Sequence, residues 1–139
     1  MKMNKDLFIK KVMEHAGIED KHAAERGVQI VLSILSHRLT EEEQADVEAQ
    51  LPQDLKRIWN NRVWIANFFW MTGKRLKYRH LIELMSLVDN EIKREQLPLR
   101  TESITKAVFH VLKELISEGQ SQDVASSLPE EIREFYNAA

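Results

Sequence analysis

Residues 45–60 read ADVEAQLPQDLKRIWN, and residues 122–137 read QDVASSLPEEIREFYN. At a constant displacement of 77, Asp46 falls on Asp123, Val47 on Val124, Leu51-Pro52 on Leu128-Pro129, and Asn60 on Asn137. Five further positions keep their chemistry: Asp54 with Glu131, Leu55 with Ile132, Lys56 with Arg133, Ile58 with Phe135, and Trp59 with Tyr136. The register continues upstream without a gap, through Val31 and Val108, Ile34 and Val111, Leu35 and Leu112, Leu39 and Ile116, and Thr40-Glu41 and Ser117-Glu118. A match that preserves polar and apolar character together marks an internal repeat, and the repeat becomes the unit to be explained.

Each unit reads as four helices, because no strict alternation is long enough to compete as a strand. Asn4 is the expected cap of a first helix with an apolar stripe of Phe8, Ile9, Val12 and Met13, closed at Gly17. Asp20 caps a second helix whose apolar residues (Ala24, Val28, Ile30, Val31, Leu32, Ile34 and Leu35) exceed one face, so it should lie centrally. Gly27 inside it costs about 1 kcal/mol against alanine and marks a close helix crossing. Thr40 with Glu43, and Ser117 with Gln120, have the spacing of a capping box at the start of the third helix. Pro52 and Pro129 open the fourth, where a missing N–H is harmless. In the second unit the stripe Leu81, Leu84, Met85 and Val88 opens the first helix, a turn is expected over 89–100, and Thr101 should cap the helix carrying Ile104, Val108, Val111, Leu112 and Leu115. The fold class that follows is all-α: two pseudo-symmetric four-helix repeats, 4–60 and 78–137, joined by a connector over 61–77 in a single compact domain spanning 1–139.

The motif set resembles a prokaryotic family known only as domain of unknown function number 2267. It consists of a Phe-x-x-x-Val helix, a long apolar helix, a short acidic capped helix, then Leu-Pro followed by an Ile/Phe-Trp/Tyr pair, present twice. The matching positions are Phe8, Val12, Val47, Leu51, Pro52, Leu55, Ile58 and Trp59, then Val124, Leu128, Pro129, Ile132, Phe135 and Tyr136. The resemblance implies a paired all-α fold and transfers no activity and no functional residue. It also implies a polar link between the units, and this chain departs from that with VWIANFFWM at 63–71.

Composition excludes several classes. At 139 residues with 43% hydrophobic and 30% charged residues the chain is an ordinary globular domain, large enough to fold without a metal or disulfide. Cysteine is absent, which removes a thiol nucleophile and a thiolate metal site. The N-terminal MKMNKDLFIKKVMEH lacks the continuous apolar run of a signal peptide, and VWIANFFWM is far short of the ~20 residues that span a bilayer, so a cytoplasmic location is expected.

The charge is uneven. Between positions 53 and 80 lie Lys56, Arg57, Arg62, Lys74, Arg75, Lys77 and Arg79 against the single acid Asp54, inside a chain of net charge −2. Six of the ten aromatic residues fall in the same window: Trp59, Trp64, Phe68, Phe69, Trp70 and Tyr78. Three readings fit it. A helix apolar on all sides can be sandwiched between the two units. A cluster of Trp, Phe, Met and Arg also suits a homodimer interface. Aromatics flanked by Lys and Arg suit a nucleic acid or an anionic membrane surface, although the acidic remainder of the chain argues against that.

Catalytic patterns are weak. His15, His22, His37, His80 and His110 are scattered. Glu19 and His22 have the Glu-x-x-His spacing of helical di-iron sites, but no second copy exists. His110 and Glu114 lie at i and i+4, which fits a surface or half-buried pair. Gly17, Gly27, Gly73 and Gly119 form no phosphate loop.

The sequence therefore points to a non-catalytic protein-interaction module without a cofactor or small-molecule substrate, whose partner is another protein or a second copy. The candidate surface is Trp64, Phe68, Phe69, Trp70, Lys74, Arg75, Lys77 and Arg79. The alternative is a weak binder of nucleic acid or anionic membrane through residues 59–80.

Overall fold

The local signals of the repeat become helix ends in the computed structural model, which describes residues 3–61 and 78–139. Eight helices and no strands are present among the described residues: α1 Lys5–Ala16, α2 Lys21–Arg38, α3 Glu41–Gln50, α4 Gln53–Asn60, α5 Leu81–Arg94, α6 Thr101–Leu115, α7 Glu118–Ser126 and α8 Glu130–Ala138. The chain is an all-α domain around one continuous core. No described helix is long and apolar enough to cross a membrane.

Capping fixes the ends in the first half. The Asn4 side chain accepts from the Leu7 N–H at 2.9 Å and Asp20 from the Ala23 N–H at 3.1 Å, each satisfying a first-turn donor that has no intrahelical partner. Gly17 closes α1 at φ 66°, a left-handed conformation that costs glycine nothing, and the Ile18 N–H reaches back to the Met13 carbonyl at 2.9 Å. Thr40 and Glu43 complete both arms of the capping box of α3. Pro52 and Pro129 sit one position outside α4 and α8, at the N-cap.

The second half departs from the sequence expectations in three places. The turn expected over 89–100 is shorter, because α5 runs on to Arg94 and buries Glu91 and Ile92 one turn beyond Val88. The chain then turns at Gln96, which takes φ 55° while the Leu97 N–H bonds the Ile92 carbonyl at 3.0 Å, the same closure that Gly17 gives α1. Thr101 does not cap α6: it is the first helical residue, and its hydroxyl donates to Asp89 on α5 at 2.9 Å. The capping box at Ser117 is half made. The Ser117 hydroxyl accepts from the Gln120 N–H at 3.1 Å, but the Ser117 N–H is taken by the Gln50 side chain of α3 at 2.7 Å.

Two long helices make the centre. In α2, Ala23, Ala24 and every residue from Gly27 to His37 are buried, as its excess of apolar positions requires. α2 packs on α1, α4, α5 and α6, while α6 packs on α1, α2, α5 and α8. The most extensive contact joins α1 to α6, so the opening helix is covered chiefly by an element from the other half of the chain. α3 and α7 lie antiparallel against each other, since Gln50 at the end of α3 meets Ser117 before α7, and Ser127 after α7 donates to Glu43 in the first turn of α3.

Candidate interaction site

The basic and aromatic window is anchored at both ends on α2. At the leaving end, Trp59 is buried on α4, and the carbonyl of Asn61 accepts from the Gln29 side-chain amide at 2.6 Å. Gln29 is a polar residue inside the apolar run of α2. Its carbonyl oxygen accepts in turn from the Arg26 guanidinium, which is held by Glu95 in a bidentate pair at 2.7 and 3.0 Å. That bond to Glu95 raises the affinity of Arg26 for its proton against the opposing effect of burial. Charge-assisted fork geometry of this kind fixes direction as well as energy, so the network sets where the chain leaves α4. Beside it, Arg94 pairs with the buried carboxylate of Glu91 at 2.9 Å.

At the returning end, Tyr78 is 1% exposed and its hydroxyl donates to the Ile34 carbonyl of α2 at 3.0 Å. A mid-helix carbonyl has a lone pair left over for such a donor. The Arg38 Nε donates to the Tyr78 carbonyl at 3.2 Å, and its guanidinium lies 5.8 Å from the ring centroid. Burial pushes the Tyr78 hydroxyl far above the usual phenol range, only partly opposed by Arg38, so it stays a neutral donor. Beyond Tyr78, the backbone N–H groups of Arg79 and His80 both donate to Glu83, at 3.3 and 3.0 Å.

His80 adds a titratable contact: its Nδ1 lies 2.6 Å from Glu131 of α8. The hydrogen bond to Glu131, followed by the charge of that carboxylate, raises the His80 pKa above 6.5. A raised folded pKa means that the stabilisation His80 contributes is fully present below its unfolded value and is lost as pH rises through the folded one. NMR titration of the His80 ring should therefore show a midpoint above the ordinary value. Glu131→Gln should move that midpoint back toward 6.5, whereas an unchanged midpoint in the variant would remove Glu131 as the cause.

Of the residues singled out from sequence, Trp64, Phe68, Phe69, Trp70, Lys74, Arg75 and Lys77 lie outside the described residues, as does the connector from 62 to 77. Arg79 is exposed. Trp59 and Tyr78 belong to the core. The anchoring residues Arg26, Gln29, Arg38 and Glu95 carried no motif. Only the polar Gln29 between Val28 and Ile30 hinted at a buried hydrogen bond.

The expected His110–Glu114 pair is present at 2.9 Å, with His110 half-buried. Lys11 of α1 bonds the other Glu114 oxygen at 2.8 Å and is the main reason that carboxyl titrates lower than usual. The His15 ring lies 3.8 Å from that of His110, centroid to centroid. Glu19 and His22 are both exposed at the start of α2. Among the described residues no three of His, Cys, Asp or Glu are placed to hold a metal ion.

The helix order and the shared core define an all-α domain whose two halves interlock. The chain belongs to the family described as an uncharacterized conserved protein (DUF2267), which matches residues 5–135 and carries no assigned activity. No curated protein matches the chain at a significant level.

Proposed function

We propose that this protein is a non-catalytic, cytoplasmic helical interaction module, built from two equivalent halves, that uses its aromatic and basic segment to bind a protein partner, in the first instance a second copy. The observation that carries the reading is the double anchorage on α2. Asn61 before the segment and Tyr78 after it are bonded to Gln29 and Ile34, five residues or about 7–8 Å apart along one helix. The densest aromatic and positive stretch of an otherwise acidic chain thus starts and ends on one rigid element, a sound base for recognition residues.

The equivalence of the halves is supported by ends that recur 77 residues apart: Arg38 and Leu115, Glu41 and Glu118, Gln53 and Glu130. Paired contacts support it too. Asp54 accepts from the Lys5 N–H at the start of α1, and Glu131, its counterpart in the sequence, bonds His80 at the start of α5.

Light scattering with circular dichroism tests the reading. The wild type should have the mass of a dimer, and Trp64→Ala or Phe68→Ala should lower it toward the monomer with helix content kept. A wild type that stays monomeric at ~1 mM, near the effective concentration of a tethered pair, overturns self-association. Salt-sensitive binding to anionic vesicles or an oligonucleotide, abolished by Lys74→Glu, Arg75→Glu, Lys77→Glu and Arg79→Glu together, would assign the segment to a charged surface instead.

A further inference from the structure

Two histidines meet at the rim of the α1–α6 contact. His15 stands in the last turn of α1 and is exposed, and His110 stands half-buried in α6. Their ring centroids are 3.8 Å apart, with the planes inclined by 47°. Both line a solvent-open cavity of about 390 Å³, whose other walls are Lys11, Glu14 and Glu114. Phe8 and Val12 of α1 and Val108 and Val111 of α6 are already buried in the core, so apolar packing does not account for two imidazoles brought together at its edge.

Neutral imidazole is the commonest protein ligand for divalent late transition metals. A ligating histidine usually has its other ring nitrogen held by a carboxylate, which fixes the tautomer and the direction of the ring. His110 has that support: Oε1 of Glu114 stands 2.9 Å from its Nε2, and the other Glu114 oxygen accepts from Lys11 of α1 at 2.8 Å. The contact favours the tautomer protonated at Nε2 and leaves Nδ1 with its lone pair. Glu114 neutralises Lys11, so Glu14 leaves the cavity wall with one uncompensated negative charge, which favours a cation.

The separation of the rings fits a shared ion after a small movement. With a metal–nitrogen bond of about 2 Å a ring centroid lies about 3 Å from the ion, and two rings on one tetrahedral ion have centroids about 5 Å apart. The rings must therefore part by about 1 Å, which the exposed His15 side chain can supply by rotation while His110 keeps its place beside Glu114. Among the described residues no third ligating side chain reaches the same point, so water fills the remaining positions.

We propose that His15 and His110 together chelate one divalent late-transition-metal ion, Zn²⁺ or Cu²⁺, and so fasten α1 of the first half to α6 of the second. The inference does not depend on the interaction reading above. An ion bound only when the two helices meet stabilises the folded chain by mass action and should raise its melting temperature.

Calorimetric titration of the full chain with ZnCl₂ should show one ion bound per chain. His15→Ala and His110→Gln should each weaken binding at least tenfold and abolish the zinc-dependent rise in melting temperature, with helix content unchanged by circular dichroism. His22→Ala, an exposed histidine at the start of α2, should leave both readouts as they are. The electron paramagnetic resonance spectrum of the wild type with less than one Cu²⁺ per chain needs no variant to fold, and it should show two imidazole nitrogens on the metal. A wild type that binds no Zn²⁺ up to ~0.1 mM overturns the proposal. So does zinc binding that survives either substitution undiminished, or a copper spectrum with a single nitrogen, since each reduces the pair to separate surface histidines.

Discussion

Phe109→Ala is expected to lower the free energy of unfolding by about 3–5 kcal/mol, the range for removing a fully buried aromatic ring. Phe109 is 0% exposed on α6, with the rings of Tyr136 at 5.3 Å and Phe135 at 6.0 Å, both in edge-to-face arrangements. Removing it withdraws apolar surface from the core, leaves a cavity under α8 and deletes two aromatic pairings, each worth about 0.5–1.5 kcal/mol beyond the area it buries. Since a domain of this kind has only about 5–15 kcal/mol in total, the variant should lose a large share of its stability. Urea denaturation followed by circular dichroism measures the change. A loss below about 1 kcal/mol with an unchanged denaturant slope would mean that the ring is not the keystone of the α6–α8 contact.

Gly27 gives the second large effect. A Cβ at this position would stand 2.7 Å from Cγ1 of Ile104 and 2.8 Å from Cδ1 of Leu99, far inside van der Waals contact. Leu99 can move its terminal methyl, but Cγ1 of Ile104 is close to the backbone of α6, so the helices must part. Gly27→Ala gains about 1 kcal/mol of helix propensity and still should come out destabilised, because overpacking a well-filled crossing costs about 1–3 kcal/mol. Gly27→Val adds two methyl groups to the same gap and should lose more.

Ile104→Ala should cost less in the Gly27→Ala background than in the wild type, because the added methyl group occupies part of the space that Ile104 vacates. A coupling of about 1 kcal/mol or more between the two substitutions is expected for residues in direct contact. If Gly27→Ala instead stabilises the protein by its propensity gain, the α2–α6 crossing has room for a methyl group and does not require glycine at this position.

Much of this fold is written in short-range chemistry. Asn4, Asp20, Thr40 and Ser117 each bind a first-turn N–H, and Gly17 takes the left-handed turn, because a cap needs only the residue itself and the next three or four positions. The buried breadth of α2 was equally legible, since a helix apolar beyond one face has to be covered on more than one side. The misread places are those where a distant partner intervenes. α5 extends past Val88 because the burial of Ile92 in the shared core outweighs the polar look of 89–94. Thr101 turns from the cap role to Asp89 on α5, and the free arm of the Ser117 box goes to Gln50 on α3.

The candidate site divides in the same way. Composition and neighbours a few positions away were enough to show that the aromatic and basic residues concentrate between positions 53 and 80, that the chain has no thiol, and where α1, α2, α3 and α7 begin. That Trp59 and Tyr78 serve the core, and that Gln29, Arg26 and Glu95 hold the chain where it leaves α4, follows from the packing of the helices. The same packing sets α1 chiefly on α6 from the other half. Burial and long-range hydrogen bonds depend on which surfaces meet in space, and a residue's neighbours along the chain carry no record of that meeting.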